Sequence, residues 1–131
     1  MIVVDTHVLV WWVNHPEKLS EKARGKMEKE QQEGTIFVSS ITVWEIYLLV
    51  KKGRLQLKME TDTWLEKIES LSFIQFLAID NKIAAKSVTI PGEFHGDPAD
   101  RIIVATAREK GATLITADDR IRKYPHVQSL W

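Results

Sequence analysis

Several acidic residues stand where their carboxylates could act together on one ligand. Asp5 directly follows an apolar run that is predicted to form the first strand, and Asp118 follows the predicted strand Thr113–Thr116. Asp97 and Asp100 stand at the start of the preceding helix. Open α/β sheets bind ligands at the carboxyl ends of their strands, so these acids are candidates for a shared site. Each is also suited to capping a helix, because Asp accepts hydrogen bonds from the free N–H groups of a first turn.

Two carboxylates stand on helix faces that are otherwise apolar. Glu45 lies inside the segment ITVWEIYLLV, with Ile41, Leu48 and Leu49 as its helical neighbours and no basic residue within a turn. Asp100 shares a stripe with three apolar residues of its own helix. Burying a carboxylate costs free energy unless it is hydrogen-bonded, paired or bound to a cation. We therefore expect Glu45 and Asp100 to be functional carboxylates rather than ordinary surface residues.

Several desolvated carboxylates at one sheet edge repel one another, and a divalent cation would remove that conflict. The chain has no cysteine, and an all-oxygen ligand set favours Mg²⁺ or Mn²⁺ over zinc. Such an ion lowers the pKa of a water nucleophile and neutralises charge on a phosphodiester. The residues therefore suit hydrolysis by metal-held water. We expect a cation-sized pocket at which four acids converge: Asp5, Glu45, Asp100 and Asp118.

Short apolar strands alternate with helices along the whole chain. The predicted strands cover residues 1–4, 35–39, 74–79, 113–116 and 127–130. This alternation predicts a three-layer α/β domain, in which a short, mostly parallel sheet is flanked by helices on both faces. There is no internal repeat and no Pro, Gly or Ser linker. We therefore predict a single domain over residues 1–131.

Composition limits the classes of function. The 131 residues carry 18 basic and 18 acidic side chains, so the chain lacks the basic surplus of a typical nucleic-acid binder. If it handles RNA or DNA, it must do so through local features. The N-terminal residues lack a basic signal region, and the apolar runs fall short of the roughly 20 residues needed to span a bilayer. The sequence predicts a cytoplasmic protein without a membrane partner.

The chain resembles PIN-domain ribonucleases, and within them the VapC-type toxins of bacterial and archaeal toxin–antitoxin pairs. Four matching segments occur in the family's order: VVDTHVLVWW, SSITVWEI, GDPADRIIVATA and LITADDRI. The stretches GRLQL and VTIPGEFHGDP extend the resemblance over essentially the whole chain. One such segment would be a weak signal, whereas four at family spacing are specific. The resemblance implies Mg²⁺-dependent endoribonuclease activity in an acidic pocket that holds one or two Mg²⁺ or Mn²⁺ ions.

The resemblance also assigns roles to individual residues. The acids that it implies as catalytic residues and metal ligands are Asp5, Glu45, Asp100 in DRIIVATA and Asp118 in TAD. Thr6 and Thr116 match the hydroxyl groups that support the family's pocket.

Two of these assignments have a competing neighbour. Asp97 stands close to Asp100 and is an alternate ligand or a residue that contacts the substrate, while Asp119 competes with Asp118. His95, in the loop before Asp97, contacts a phosphate or has no functional role. The sequence leaves these alternatives open.

The resemblance further implies three partners: an RNA substrate, a cognate antitoxin and a second copy of the chain. The antitoxin would dock an apolar segment beside the Glu45 helix and present a basic side chain to the acids. Ile46–Val50 is apolar nearly all round, more than one core face requires, although complete burial is the alternative. A homodimer is also favoured by five tryptophans, because aromatic residues concentrate at interfaces.

A catalytically silent PIN-like module that binds RNA or protein is the competing hypothesis. The four acids argue against it, because a binding module has no use for carboxylates that repel one another. A phosphoacceptor receiver domain would need an acidic pair after the first strand, where this chain has only Asp5.

Overall fold

Five short strands form one sheet in the computed structural model, which describes residues 1–131. In chain order they are β1 (Ile2–Val4), β2 (Ile36–Ser39), β3 (Ile74–Leu77), β4 (Thr113–Ile115) and β5 (Ser129–Leu130). Their order across the sheet is β3-β2-β1-β4-β5, and every pairing is parallel. The predicted α/β class is confirmed, in a sheet that is parallel throughout.

Seven α-helices connect and flank these strands. They are α1 (Thr6–Asn14), α2 (Glu21–Glu33), α3 (Ser40–Lys51), α4 (Thr61–Glu69), α5 (Asn81–Thr89), α6 (Pro98–Lys110) and α7 (Asp119–Arg122). Gly111 ends α6 in the left-handed conformation, with φ of 61°, which a residue without a Cβ adopts at little cost. No helix has the length and apolar character required to cross a membrane.

The two faces of the sheet bury separate groups of apolar residues. Ile2 and Val4 of β1 pack into one core with α1, α2 and α4. Val3 points to the opposite face and packs with α6 and α7. This alternation follows from the two-residue period of a strand, and it explains why the sequence of β1 is apolar at every position. The resulting three layers hold the carboxyl ends of the strands at one edge.

The order in which the chain adds strands to the sheet reverses at the central strand β1. β2 pairs with one side of β1, and β4 pairs with the other side. Crevices form at such switch points, at the carboxyl ends of the strands. Here the backbone N–H of Asp5 donates to the carbonyl of Ile115, at 3.0 Å, which places the ends of β1 and β4 side by side.

Candidate functional site

Asp5 is buried at the carboxyl end of β1 and is held by two hydrogen bonds. Its Oδ1 accepts from the backbone N–H of Thr6, at 2.8 Å, and its Oδ2 accepts from Thr116 Oγ1, at 2.7 Å. Burial raises the pKa of Asp5 despite the opposing effect of both hydrogen bonds. Asp5 therefore caps α1, as its residue type suggested. It is also a desolvated carboxylate with a fixed orientation.

Glu45 reaches the same place from α3. Its Oε1 accepts a hydrogen bond of 2.6 Å from Thr6 Oγ1, and this hydroxyl also lies 3.0 Å from Thr42 Oγ1. Burial raises the pKa of Glu45, and the charges of Asp5 and Asp97 raise it further. Thr6 therefore joins the two carboxylates, through its backbone N–H to Asp5 and through its side chain to Glu45.

The carboxyl group of Asp100 is largely buried, and its pKa is strongly raised. Its side chain is only 13% exposed, and the predicted stripe beneath it is buried, with Ile103, Val104 and Ala107 inaccessible to solvent. Burial raises the pKa of Asp100 to about 7, helped by the negative charges of Asp5, Asp97, Asp118 and Glu45. These four carboxylates are therefore close enough to Asp100 to oppose its ionisation.

Asp97 and Asp118 are both helix caps. Asp97 Oδ1 accepts from the N–H groups of Ala99 and Asp100, at 2.9 and 3.2 Å, while Asp118 caps α7. Burial works against ionisation of Asp118, but hydrogen bonds from Ile121 and Arg120 outweigh it and hold the pKa below its usual value. The capping roles weighed in the sequence are confirmed for both acids.

Asp118 and its competitor Asp119 differ in their surroundings. The Asp119 side chain is 77% exposed and lies 3.7 Å from Arg122. Asp118 is 27% exposed and is one of the charges that raise the pKa of Asp100. Of the two, Asp118 is the one that interacts with the other acids.

Arg120 is a residue of the site that the sequence analysis missed. Its Nη2 lies 3.4 Å from Asp100 Oδ2 and 3.5 Å from Asp118 Oδ2, while the side chain as a whole is 59% exposed. A cation thus already bridges two of the acids from the solvent side. In the sequence, Arg120 stands among the alternating charges of a surface turn, so no local pattern singles it out.

Arg101 was also missed, and it secures the loop that carries His95. Its guanidinium donates to four backbone carbonyls, those of Ser87, Val88, Phe94 and His95, at 2.8 to 3.1 Å. His95 Nε2 consequently lies 3.2 Å from Asp100 Oδ2, and it is buried without a hydrogen-bond partner. Burial, together with the charge of Arg120, lowers the pKa of His95. His95 is therefore a neighbour of the acidic site, next to Asp100.

The donor set fits a hard divalent cation. Every group is an oxygen, supplied by Asp5, Glu45, Asp100 and Asp118 with the hydroxyls of Thr6 and Thr116 beside them. Burial, together with the charges of neighbouring acids, raises the pKa of Asp5, Glu45 and Asp100. No three acidic or histidine side chains surround one point as the ligands of a single ion in this structure. The assignment of individual ligands stays a prediction.

Comparison with known proteins agrees with this fold. The family model of the PIN domain matches residues 2–127. The chain is 34% identical to Ribonuclease VapC22 of Mycobacterium tuberculosis over 125 residues, which cover 95% of this chain and 92% of that protein. Two solved structures share its fold. VapBC2 from Rickettsia felis, bound to a promoter DNA fragment, has 22% identity, a TM-score of 0.72 and coverage of 99% and 98% of the two chains. FitAcB from Neisseria gonorrhoeae has 22% identity, a TM-score of 0.70 and coverage of 100% and 97%.

Proposed function

Because the chain belongs to the PIN-domain family, we propose that it is a divalent-metal-dependent endoribonuclease and the toxin of a toxin–antitoxin pair. Its 34% identity to a curated ribonuclease over nearly its whole length supports the reaction class. The observation that carries the proposal is that Asp5 and Glu45, from distant parts of the chain, are both bound by Thr6, with the buried Asp100 near enough for their charges to raise its pKa. A divalent cation would neutralise the negative charge of these acids. We also propose that the protein acts in the cytoplasm.

The residues of the chain prepare the site for that cation. Thr116 and the backbone of Thr6 fix both oxygens of Asp5, and the Thr6 hydroxyl fixes Glu45. Mg²⁺ or Mn²⁺ bound to Asp5, Glu45, Asp100 and Asp118 would supply a water nucleophile of lowered pKa and neutralise charge at the scissile phosphate.

Two further residues prepare the site for the substrate. Asp97 caps the first turn of α6 and so fixes the backbone that carries Asp100. Arg120 is exposed enough to exchange its carboxylate partners for a phosphate of the substrate.

The purified chain and a labelled single-stranded RNA test the proposal. We expect cleavage in the presence of Mg²⁺, none with EDTA in excess, and recovery when Mg²⁺ is restored above the chelator. RNA that is bound but remains intact with both Mg²⁺ and Mn²⁺ would contradict the proposal and support a catalytically silent module.

A groove of about 570 Å³ beside Glu45 is where we propose that the antitoxin docks. Its apolar lining includes Leu48 and Leu49, which are half-buried rather than enclosed in the core, and its charged lining consists of two acids, Glu45 and Asp97, and two cations, Lys52 and Arg54. An apolar segment that ends in a basic side chain matches this surface. The related structures include VapBC2, described as a complex on its promoter DNA.

We expect Leu48→Asp and Leu49→Asp each to weaken antitoxin binding by about 100-fold, because a charge would be buried against the partner's apolar segment. The measurement is titration calorimetry with the purified antitoxin. Val88→Asp is the matched control, since Val88 is 74% exposed on α5. Unchanged antitoxin affinity in folded Leu48 and Leu49 variants would exclude this groove.

The predicted homodimer has one tryptophan that suits an interface. Trp64 is buried, Trp11 packs against Trp131 and Trp12 packs against Phe73. Trp44 is 56% exposed, and it lies on an apolar surface with neighbours from three elements: Val43, Tyr47, Leu65 and Phe76. We propose that a second copy covers this surface.

In sedimentation at micromolar concentration, we expect the chain to have twice its 15.1 kDa mass. Trp44→Glu should give the single-chain mass, because it places a charge at the centre of the contact. A single-chain mass for the unsubstituted protein would rule out the dimer.

A further inference from the structure

A second groove lies next to the groove beside Glu45 and shares Leu49 and Arg54 with it. It has a volume of about 550 Å³ and lies between α1 and the segment that follows α3, residues 54–58. Thr6 is one of its lining residues, and Thr6 also donates hydrogen bonds to both Asp5 and Glu45. The groove therefore borders the acidic site.

The charges of this groove are of one sign. Lys18, Arg54 and Lys58 line it, and none of the 13 lining residues is acidic. All three cationic side chains are exposed, and none forms an ion pair within the chain, so that no carboxylate of the chain competes with a ligand for them. In a chain with a formal net charge of zero, this is a local concentration of unpaired positive charge beside a nuclease-like site.

The floor of the groove provides aromatic surface. Trp11 lines it and is half-buried, and the exposed His7 ring lies 5.9 Å from the Trp11 ring in a tilted arrangement. Aromatic rings flanked by cations are the combination with which proteins bind single-stranded nucleic acid, because bases stack on the rings and phosphates pair with the cations.

From these features we propose that the groove binds the single-stranded RNA next to the scissile phosphate. Lys18, Arg54 and Lys58 contact its backbone phosphates, and a base stacks against Trp11. The inference rests on the proposed ribonuclease function. It adds the path of the substrate, because RNA bound in this groove runs from the acids along α1. The groove beside Glu45 fits this ligand less well, because two acids, Glu45 and Asp97, line it together with Lys52 and Arg54 and leave no surplus of positive charge.

The test compares two double variants that lose the same charge. Lys18→Ala/Lys58→Ala removes two groove cations and leaves Arg54, which lines both grooves. Lys29→Ala/Lys67→Ala is the control, since both lysines are exposed and unpaired away from the groove. Each pair is placed in the Asp5→Asn chain, so that a labelled single-stranded oligoribonucleotide stays intact, and binding is followed by fluorescence anisotropy over a range of salt concentrations.

We expect the groove variant to bind RNA about tenfold more weakly than the control. A plot of the logarithm of its binding constant against the logarithm of the salt concentration should have a slope that is shallower by about 1.4, or about 0.7 for each lost phosphate contact. A 4-thiouridine placed next to the cleavage position should crosslink to α1 or to residues 54–58. Equal affinity and equal salt dependence in the two double variants would overturn the inference.

Two outcomes separate this inference from its alternatives. If the groove variant binds RNA like the control but loses affinity for the antitoxin, the groove is a protein-binding surface and the inference is wrong. Cleavage by the unsubstituted chain is measured separately with Mg²⁺. If the unsubstituted chain cleaves RNA but the two double variants bind RNA equally well, the groove assignment is wrong and the proposed function stands.

Discussion

Asp5→Asn is expected to reduce RNA cleavage on the order of 10³-fold, because an amide replaces a charged ligand where the cation neutralises the reacting phosphate. The fold should be retained. Asn caps helices as well as Asp does, and a neutral side chain removes the burial cost that raises the pKa of Asp5. The measurement pairs the cleavage rate under single-turnover conditions with the thermal unfolding midpoint.

Asp80→Asn is the matched control for this variant. Asp80 also follows a strand and caps a helix, with Oδ1 accepting from the N–H of Ile83 at 2.8 Å, but it is not among the charges that perturb Asp100. We expect Asp80→Asn to cleave RNA at the unsubstituted rate. Cleavage retained by a folded Asp5→Asn variant would count against the metal mechanism.

The second large effect concerns the pH dependence of stability in the metal-free protein. Asp100 has a pKa of about 7 in the folded chain, above the ordinary value of 3.8 for an aspartate, so between these pH values the folded state keeps a proton that the unfolded state releases. Its contribution to the free energy of unfolding is therefore full below about pH 4 and is lost as the pH rises through about 7. Excess Mg²⁺ should reverse the trend, because the ionised carboxylate is the ligand.

Asp100→Asn isolates this contribution, since an amide does not titrate. We expect the metal-free variant to be more stable than the unsubstituted chain at pH 8 by about 2 kcal/mol, less than the roughly 4 kcal/mol of the full shift because solvent reaches the side chain. Urea unfolding at pH 4.5 and pH 8 measures the difference. His95 titrates with the opposite sign, because its pKa is lowered, and since it lies 3.2 Å from Asp100 the two proteins are compared with His95→Gln in both. An equal pH dependence in the two would contradict the account.

Much of the fold could be predicted because its determinants are local. The apolar residues of β1 and the alternation of strands with helices indicated a parallel sheet, and Asp5, Asp97 and Asp118 cap helices as their residue type suggests. The order of the strands could not be predicted, because it depends on contacts between distant parts of the chain. The hydrogen bond between Thr116 and Asp5, for instance, joins residues 111 positions apart.

The candidate site was accessible to sequence reasoning only in part. Glu45 stood out because a carboxylate on an apolar helix face must find a partner, but that partner, Thr6, is 39 residues away. Arg120 and Arg101 could not be singled out, since each lies in a segment whose charges are typical of an exposed surface. Their roles depend on the tertiary structure, which places Arg120 beside Asp100 and Asp118. It also places Arg101 beside the loop that carries His95.

The central claim is that the acids act together as the ligands of a divalent cation, and Mn²⁺ binding tests it most directly. Titration calorimetry at pH 8 would compare the unsubstituted chain with Asp5→Asn, Glu45→Gln, Asp100→Asn and Asp118→Asn, with Asp80→Asn as the control. We expect saturable Mn²⁺ binding by the unsubstituted and control chains, and affinity at least about tenfold weaker in each of the other four. Absence of binding by the unsubstituted chain, or equal affinity in all the variants, would contradict the claim.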